Sequence, residues 1–203
     1  MNYRMQDIMK LIIPGLYVLA FFVGRELLSP NSIIDVSRVK DFTSIILLLI
    51  PFVGFVIGYF LECLMSAIEH LCYYWGCRRP SKTILGESIK GMYTLSAKEK
   101  ILAEYKVSGE ITNEKANEIL QIAKQSINRD IVEVFRLNSM LARNIYGGQI
   151  IITILYAFIS PCFYKDCYFY GLLIISLLFL IFWIHQMHVY VKYVLAEYGK
   201  TLE

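Results

Sequence analysis

The chain has 203 residues, is 57% hydrophobic with a mean hydropathy of +0.51, and carries a formal net charge of +3. Soluble domains sit nearer half apolar, so an ordinary soluble globule is excluded, and the charge is too small to argue by itself for nucleic-acid or lipid binding. The apolar excess lies in blocks, with 15 Tyr and 12 Phe, residue types that favour bilayer interfaces.

The first block covers residues 8–28. Leu11 to Gly24 is apolar between Lys10 and Arg25, and Ile8, Met9, Leu27 and Leu28 bring it to about 20 residues, the length that crosses roughly 30 Å of hydrocarbon. Lys10 and Arg25 can snorkel toward the head groups. A cleaved signal peptide fits badly, because Val23-Gly24-Arg25-Glu26 offers no small-x-small cleavage site.

The second block runs from Phe42 to Leu61 without a charge, and its helical pattern continues to Cys77, so a span with a cytosolic extension is expected over 42–77. Pro51 removes one backbone hydrogen bond and predicts a kink. Gly54 and Gly58 form G-x-x-x-G, which lets a second helix backbone approach closely. Self-association is one use of that face, although such pairs also arise by chance in apolar runs. Glu62, Ser66 and Glu69 share a face of the same helix. Repeated around a homo-oligomer, they would line an acidic pore or cavity; the alternative is that the helix has left the bilayer by Glu62 and these acids are solvated. Cys63, Cys72 and Cys77 lack the paired spacing of a zinc site.

Residues 78–144 form a helical cytosolic segment. Arg78-Arg79-Pro80 stops the second helix, and residues 81–93 read as loop or short helix. Ser96-x-x-Glu99 is a capping box that predicts a helix to about Lys106, ended by Ser108-Gly109. Thr112 or Asn113 then caps a longer helix. Its apolar positions recur from Ala116 to Leu141 with no Gly or Pro before Gly147, so it could run straight into the third span. Arg129, Arg136 and Arg143 stand seven apart on its polar face and could meet phosphates, head groups or acids on a partner. Glu133 lies four after Arg129 and three before Arg136, so local pairing competes. Twelve bases against ten acids in Glu62–Asn144 do not make a strongly electropositive surface, and no aromatics interleave with the row, so direct sequence-specific nucleic-acid binding is not expected.

Ile145–Tyr164 and Cys167–Val191 are the third and fourth spans, joined by a short turn at Lys165-Asp166. Cys162 and Cys167 flank the turn and could close a disulfide in an oxidising compartment; two unpaired thiols are the equal alternative. His185 and His188 share a face near the cytosolic end, and with Glu69 or His70 would make a metal site only if the fold brought them together. Placing 62–144 in the cytosol puts 16 basic residues inside and four outside, with both termini inside, which requires an even number of spans. The expectation is an all-α polytopic membrane protein with four transmembrane helices and a helical cytosolic segment between the second and third.

The chain has no G-x-x-x-x-G-K-[ST], H-E-x-x-H or G-x-S-x-G, and no cofactor is implied. That favours a non-enzymatic membrane effector, against an accessory subunit of a membrane complex and a lipid- or metal-handling enzyme using Glu62, Glu69 and the histidines. The layout of paired helices, a charged helical middle with Arg136 and Arg143 leading into Ile145-Tyr146-Gly147-Gly148, and paired helices again resembles the small multipass effectors of bacterial anti-phage defence, including the membrane protein that accompanies some retrons. The resemblance implies a toxin-like role in abortive infection at the inner membrane, with a reverse transcriptase and its RNA–DNA product as restraining partners. The chain departs from cyclic-nucleotide-gated effectors, having no room for their sensing domain, which points to restraint by a partner.

Overall fold

The computed structural model describes residues 5–28, 43–74, 79–86, 92–127, 129–160 and 163–202. Among them the chain forms seven α-helices and no strand: α1 (Met5–Leu28), α2 (Thr43–Tyr74), α3 (Pro80–Gly86), α4 (Met92–Glu104), α5 (Asn113–Ser126), α6 (Arg129–Ile159) and, after a 3-10 turn at Phe163–Lys165, α7 (Cys167–Thr201). α1, α2, α6 and α7 are long and apolar enough to cross a membrane. The protein is an all-helical multipass membrane protein.

The chain divides into two compact units. The first comprises residues up to Ile68 together with Met140–Trp183, and so contains α1 and the apolar parts of α2, α6 and α7. Its helices approach where side chains are small. A Cβ on Gly58 would lie 1.7 Å from the carbonyl oxygen of Leu11, and one on Gly15 would lie 1.7 Å from that of Gly54. Only glycine permits this backbone contact between α1 and α2. Gly147 of α6 faces Met65 of α2, where a Cβ would come within 2.4 Å of Met65 Cγ. α7 presents Leu173, Ile174, Leu177, Leu178, Ile181 and Phe182 outward, as a lipid-facing helix does.

The second unit comprises Glu69–Ser139 and Ile184–Glu203. Its core gathers Ile84 and Leu85 of α3, Ile101 of α4, Ile119, Leu120 and Ala123 of α5, and Val191, Val194, Leu195 and Tyr198 of α7. Here the rule is that of a soluble domain, with apolar side chains buried and charges outside. This core carries α7 ten residues past Val191, because Val191, Val194, Leu195 and Tyr198 recur at helical spacing on its buried face. Hydropathy alone ends the helix at the charge of Lys192; burial continues it.

Three local expectations change. Ser96 does not cap α4, which is already helical from Met92, so Ser96 stands inside it with an exposed side chain. That helix ends at Glu104, where Lys106 N–H donates to Ala103 O and Val107 N–H to Leu102 O. These two bonds are a Schellman closure that needs a left-handed residue, and Lys106 supplies it with φ 50°. The helix expected across 113–141 is broken. Ser126 Oγ donates to Ile122 O, and Ile127 is extended (φ −99°, ψ 157°) with its side chain in the core. Tertiary burial of Ile127 ends α5 without Gly or Pro. Thr112 does cap α5, its Oγ1 accepting from Lys115 N–H at 3.2 Å. α6 then runs unbroken from Arg129 to Ile159, joining the end of the charged segment to the third span in one helix.

Candidate functional site: a buried charge cluster in the apolar unit

Glu62 lies 19 residues along α2 from Thr43, about 28 Å at the helical rise, and Arg143 lies about 24 Å along α6 from Ile159. Each helix therefore carries an ionisable group toward one end of the thickness a bilayer provides. The two meet: Arg143 Nη2 donates to Glu62 Oε1 at 2.5 Å, and Asn144 Nδ2 donates to Glu62 Oε2 at 2.6 Å. Both carboxylate oxygens are thus engaged by adjacent residues of α6. Arg143 is 8% exposed and Asn144 is fully buried. A carboxylate or guanidinium in such surroundings is tolerated only when paired and hydrogen-bonded. Asn144 Oδ1 has no hydrogen-bond partner among the described residues.

A second polar group lies along α6. Gln149 is fully buried. Its Oε1 accepts from the Tyr17 hydroxyl of α1, while its Nε2 donates to Leu172 O of α7 at 3.1 Å and to Thr153 Oγ1 at 3.4 Å. Thr153 Oγ1 is 3.1 Å from Ser176 Oγ, and Ser176 Oγ donates to Leu172 O. One amide therefore joins three helices. Such bonds hold membrane helices together where no hydrophobic force distinguishes protein from lipid. Beyond Thr153, the Tyr156 hydroxyl donates to Asp166, which also accepts from Tyr168 N–H at 2.9 Å. These two donors hold the Asp166 carboxyl below its ordinary range, the tyrosine first.

The expected site residues separate. Gly54 and Gly58 are buried against α1 of the same chain, so that face is filled within the protomer and is not open for self-association through it. Pro51 lies within α2 and is exposed. Ser66 is exposed on α2, and Glu69 belongs to the second unit, whereas Glu62 is engaged by α6 in the first. The arginine row also divides. Arg136 is paired with Glu133 through Nε to Oε2 at 2.8 Å, the i,i+3 pairing that the spacing allows. Arg143 is buried on Glu62 and is not part of an exposed partner-binding row. Seven-residue spacing does place it near the line of Arg136, but at Arg143 the helix packs against α2. Arg129 is the first residue of α6, and its side chain lies outside the described residues, as does Cys162. Cys167 opens α7 with an exposed thiol. His185 is exposed, His188 Nδ1 lies 2.8 Å from Ile184 O of its own helix, and among the described residues no group of three His, Cys, Asp or Glu side chains could hold a metal ion.

Asn144, Gln149, Thr153 and Ser176 escape a reading that counts only charges. Their signal is faint but present, since each is a polar side chain at or inside an apolar run. Gly15 follows Pro14 in the first run, and nothing local marks it as the partner of Gly54. Compared with protein-family models, curated proteins and solved structures, the chain matches none.

Proposed function

We propose that this protein is a non-enzymatic membrane effector that breaches the bacterial inner membrane when a restraining partner lets go. The observation that carries the reading is the Glu62–Arg143–Asn144 cluster, a half-buried carboxylate on a buried arginine and asparagine, on two helices, α2 and α6, each of which has one end in the apolar unit and the other in the polar one. Packed together, the charges neutralise each other. Drawn apart within hydrocarbon, each would have to be hydrated, and charged side chains in a bilayer draw in water and thin it locally. A partner acting on the second unit has a mechanical route to this pair along either helix. In the bacterial inner membrane the basic-residue distribution favours the second unit and both termini in the cytosol, where a reverse transcriptase bearing its RNA–DNA product is the restraint implied by the layout. Homo-oligomers would multiply the effect of each separated pair.

Controlled induction in growing cells, followed with a membrane-potential dye, tests this. Wild-type protein expressed without a partner is expected to depolarise the membrane within minutes. The double variant Glu62→Leu/Arg143→Leu, which retains an apolar contact but no charge to hydrate, is expected to insert and leave the potential intact. Wild-type protein that inserts and leaves the potential unchanged would overturn the effector reading in favour of an accessory subunit.

A further inference from the structure

The second unit contains a ring of side chains that the breach mechanism does not use. Tyr73 stands near the polar end of α2, and Tyr190 lies in the part of α7 that belongs to this unit. The Tyr73 hydroxyl reaches Met187 Sδ at 3.8 Å, and Met187 lies one turn before Tyr190 on α7. The Arg79 guanidinium lies over the Tyr73 ring at 4.8 Å, and the Lys124 ammonium over the Tyr190 ring at 5.6 Å. Arg79 Nη1 donates to Asn117 Oδ1 at 2.9 Å. Asn117 and Lys124 are seven apart on α5 and so share a face. The contacts thus close on themselves through α2, α7, α5 and Arg79, with two cations held over two aromatic rings.

Lys124 stands among charges of both signs. Burial lowers the affinity of its ammonium for the proton, Glu69 raises it, and Arg136 and Arg79 lower it. Arg136 is bonded to Glu133. An anion beside Lys124 and Arg79 would meet two cations already held over aromatic rings, and would leave the aromatic contacts in place.

We infer that Arg79, Lys124 and Asn117, backed by Tyr73 and Tyr190, form a binding site for the phosphate group of an anionic membrane lipid. Position favours a lipid source over a soluble phosphate. Both tyrosines sit on helices that also run through the apolar unit, α2 and α7: Tyr73 is the last residue of the apolar run Leu48–Tyr73, and Tyr190 lies in the part of α7 that belongs to the second unit. Tyrosine at that position is characteristic of the head-group layer, and basic groups between membrane helices on the cytosolic side are where anionic head groups are held. Arg79 offers two-pronged hydrogen bonding to phosphate oxygens, Lys124 a point charge, and the Asn117 amide can turn its N–H toward the anion. This inference stands apart from the effector reading. A protein with no effect on membrane potential could still hold a lipid here.

The test uses full-length protein in nanodiscs of phosphatidylcholine alone or with phosphatidylglycerol, scored by thermal unfolding and by lipid retained in native mass spectrometry. The expected result is a higher melting temperature with the anionic lipid and one retained phosphatidylglycerol per chain, weakening as salt rises. Lys124→Gln and Arg79→Gln are each expected to weaken retention about fivefold, on the scale of one basic group at a membrane surface. Lys200→Gln, at an exposed position outside the ring, is expected to retain lipid as wild type does. Equal melting temperature and retention in the two lipids for wild type would overturn the inference, and this comparison does not depend on any variant folding. Inorganic phosphate that stabilises wild type in phosphatidylcholine as strongly as the anionic lipid would overturn the lipid assignment.

Discussion

In the first unit the fully buried side chains include Asn144 and Gln149, while Leu48, Phe52, Phe158 and Leu177 are exposed. In the second, Ile101, Ile119, Ala123 and Val194 are fully buried and Glu110, Glu118 and Lys200 face outward. The same chain, and in three cases the same continuous helix, obeys opposite rules on either side of a boundary near Ile68, Met140 and Trp183. Hydrophobic burial organises the second unit, as it does a domain in water. It cannot distinguish protein from lipid in the first, because lipid is as apolar as leucine; close glycine contacts, van der Waals packing such as that of Val18, Leu61 and Ile152, the Glu62–Arg143 pair and hydrogen bonds hold those helices together.

The sharpest way to break this contrast is through the ion pair. Arg143→Ala leaves the half-buried Glu62 with Asn144 but without its guanidinium and is expected to destabilise the protein by about 3 kcal/mol in mixed micelles. The Glu62→Leu/Arg143→Leu pair should recover most of that loss, since apolar replacements of a buried pair are near neutral. A double variant as unstable as Arg143→Ala would mean that the charges themselves hold α2 to α6. The next largest effect belongs to the second unit. Ile119→Ala should cost about 3 kcal/mol through the cavity it leaves, whereas Leu177→Ala on the exposed face of α7 should stay within about 0.5 kcal/mol. Equal losses at the two positions, measured by denaturant unfolding, would erase the difference between the units. The smallest effect is expected at Gln149→Leu, about 1 kcal/mol, the scale of a hydrogen bond between membrane helices. A loss comparable to that of Arg143→Ala would make the three-helix amide a principal fastening of the first unit.

The legibility of the chain follows the same division. The four long apolar helices were readable because composition over about 20 residues is a local property. The α5 cap at Thr112 was readable from its neighbours. The break at Ile127 was not, because no breaker residue stands there and the cause is a core assembled from α3, α4, α5 and α7. The candidate site was half readable. Glu62 stood out as an acid beyond an apolar run and Gly54 and Gly58 as a packing pair, but their partners lie far away in sequence: Arg143 is 81 residues from Glu62, and the glycines meet Leu11, Gly15 and Leu16. Arg143 was grouped with Arg136 by spacing, and only packing distinguishes a buried arginine from a solvated one.

The sequence by itself determined that the chain is all-helical, where its four apolar helices lie, and that a charged helical stretch separates the second from the third. These follow from hydropathy and periodicity, which act within a few turns. The tertiary structure alone decided that the G-x-x-x-G face belongs to α1, that α7 and the middle helices share one core past Val191, and that Glu62 meets Arg143 and Asn144. In those cases the energy comes from desolvating groups against partners distant in the chain, and no local window contains both halves of such a contact.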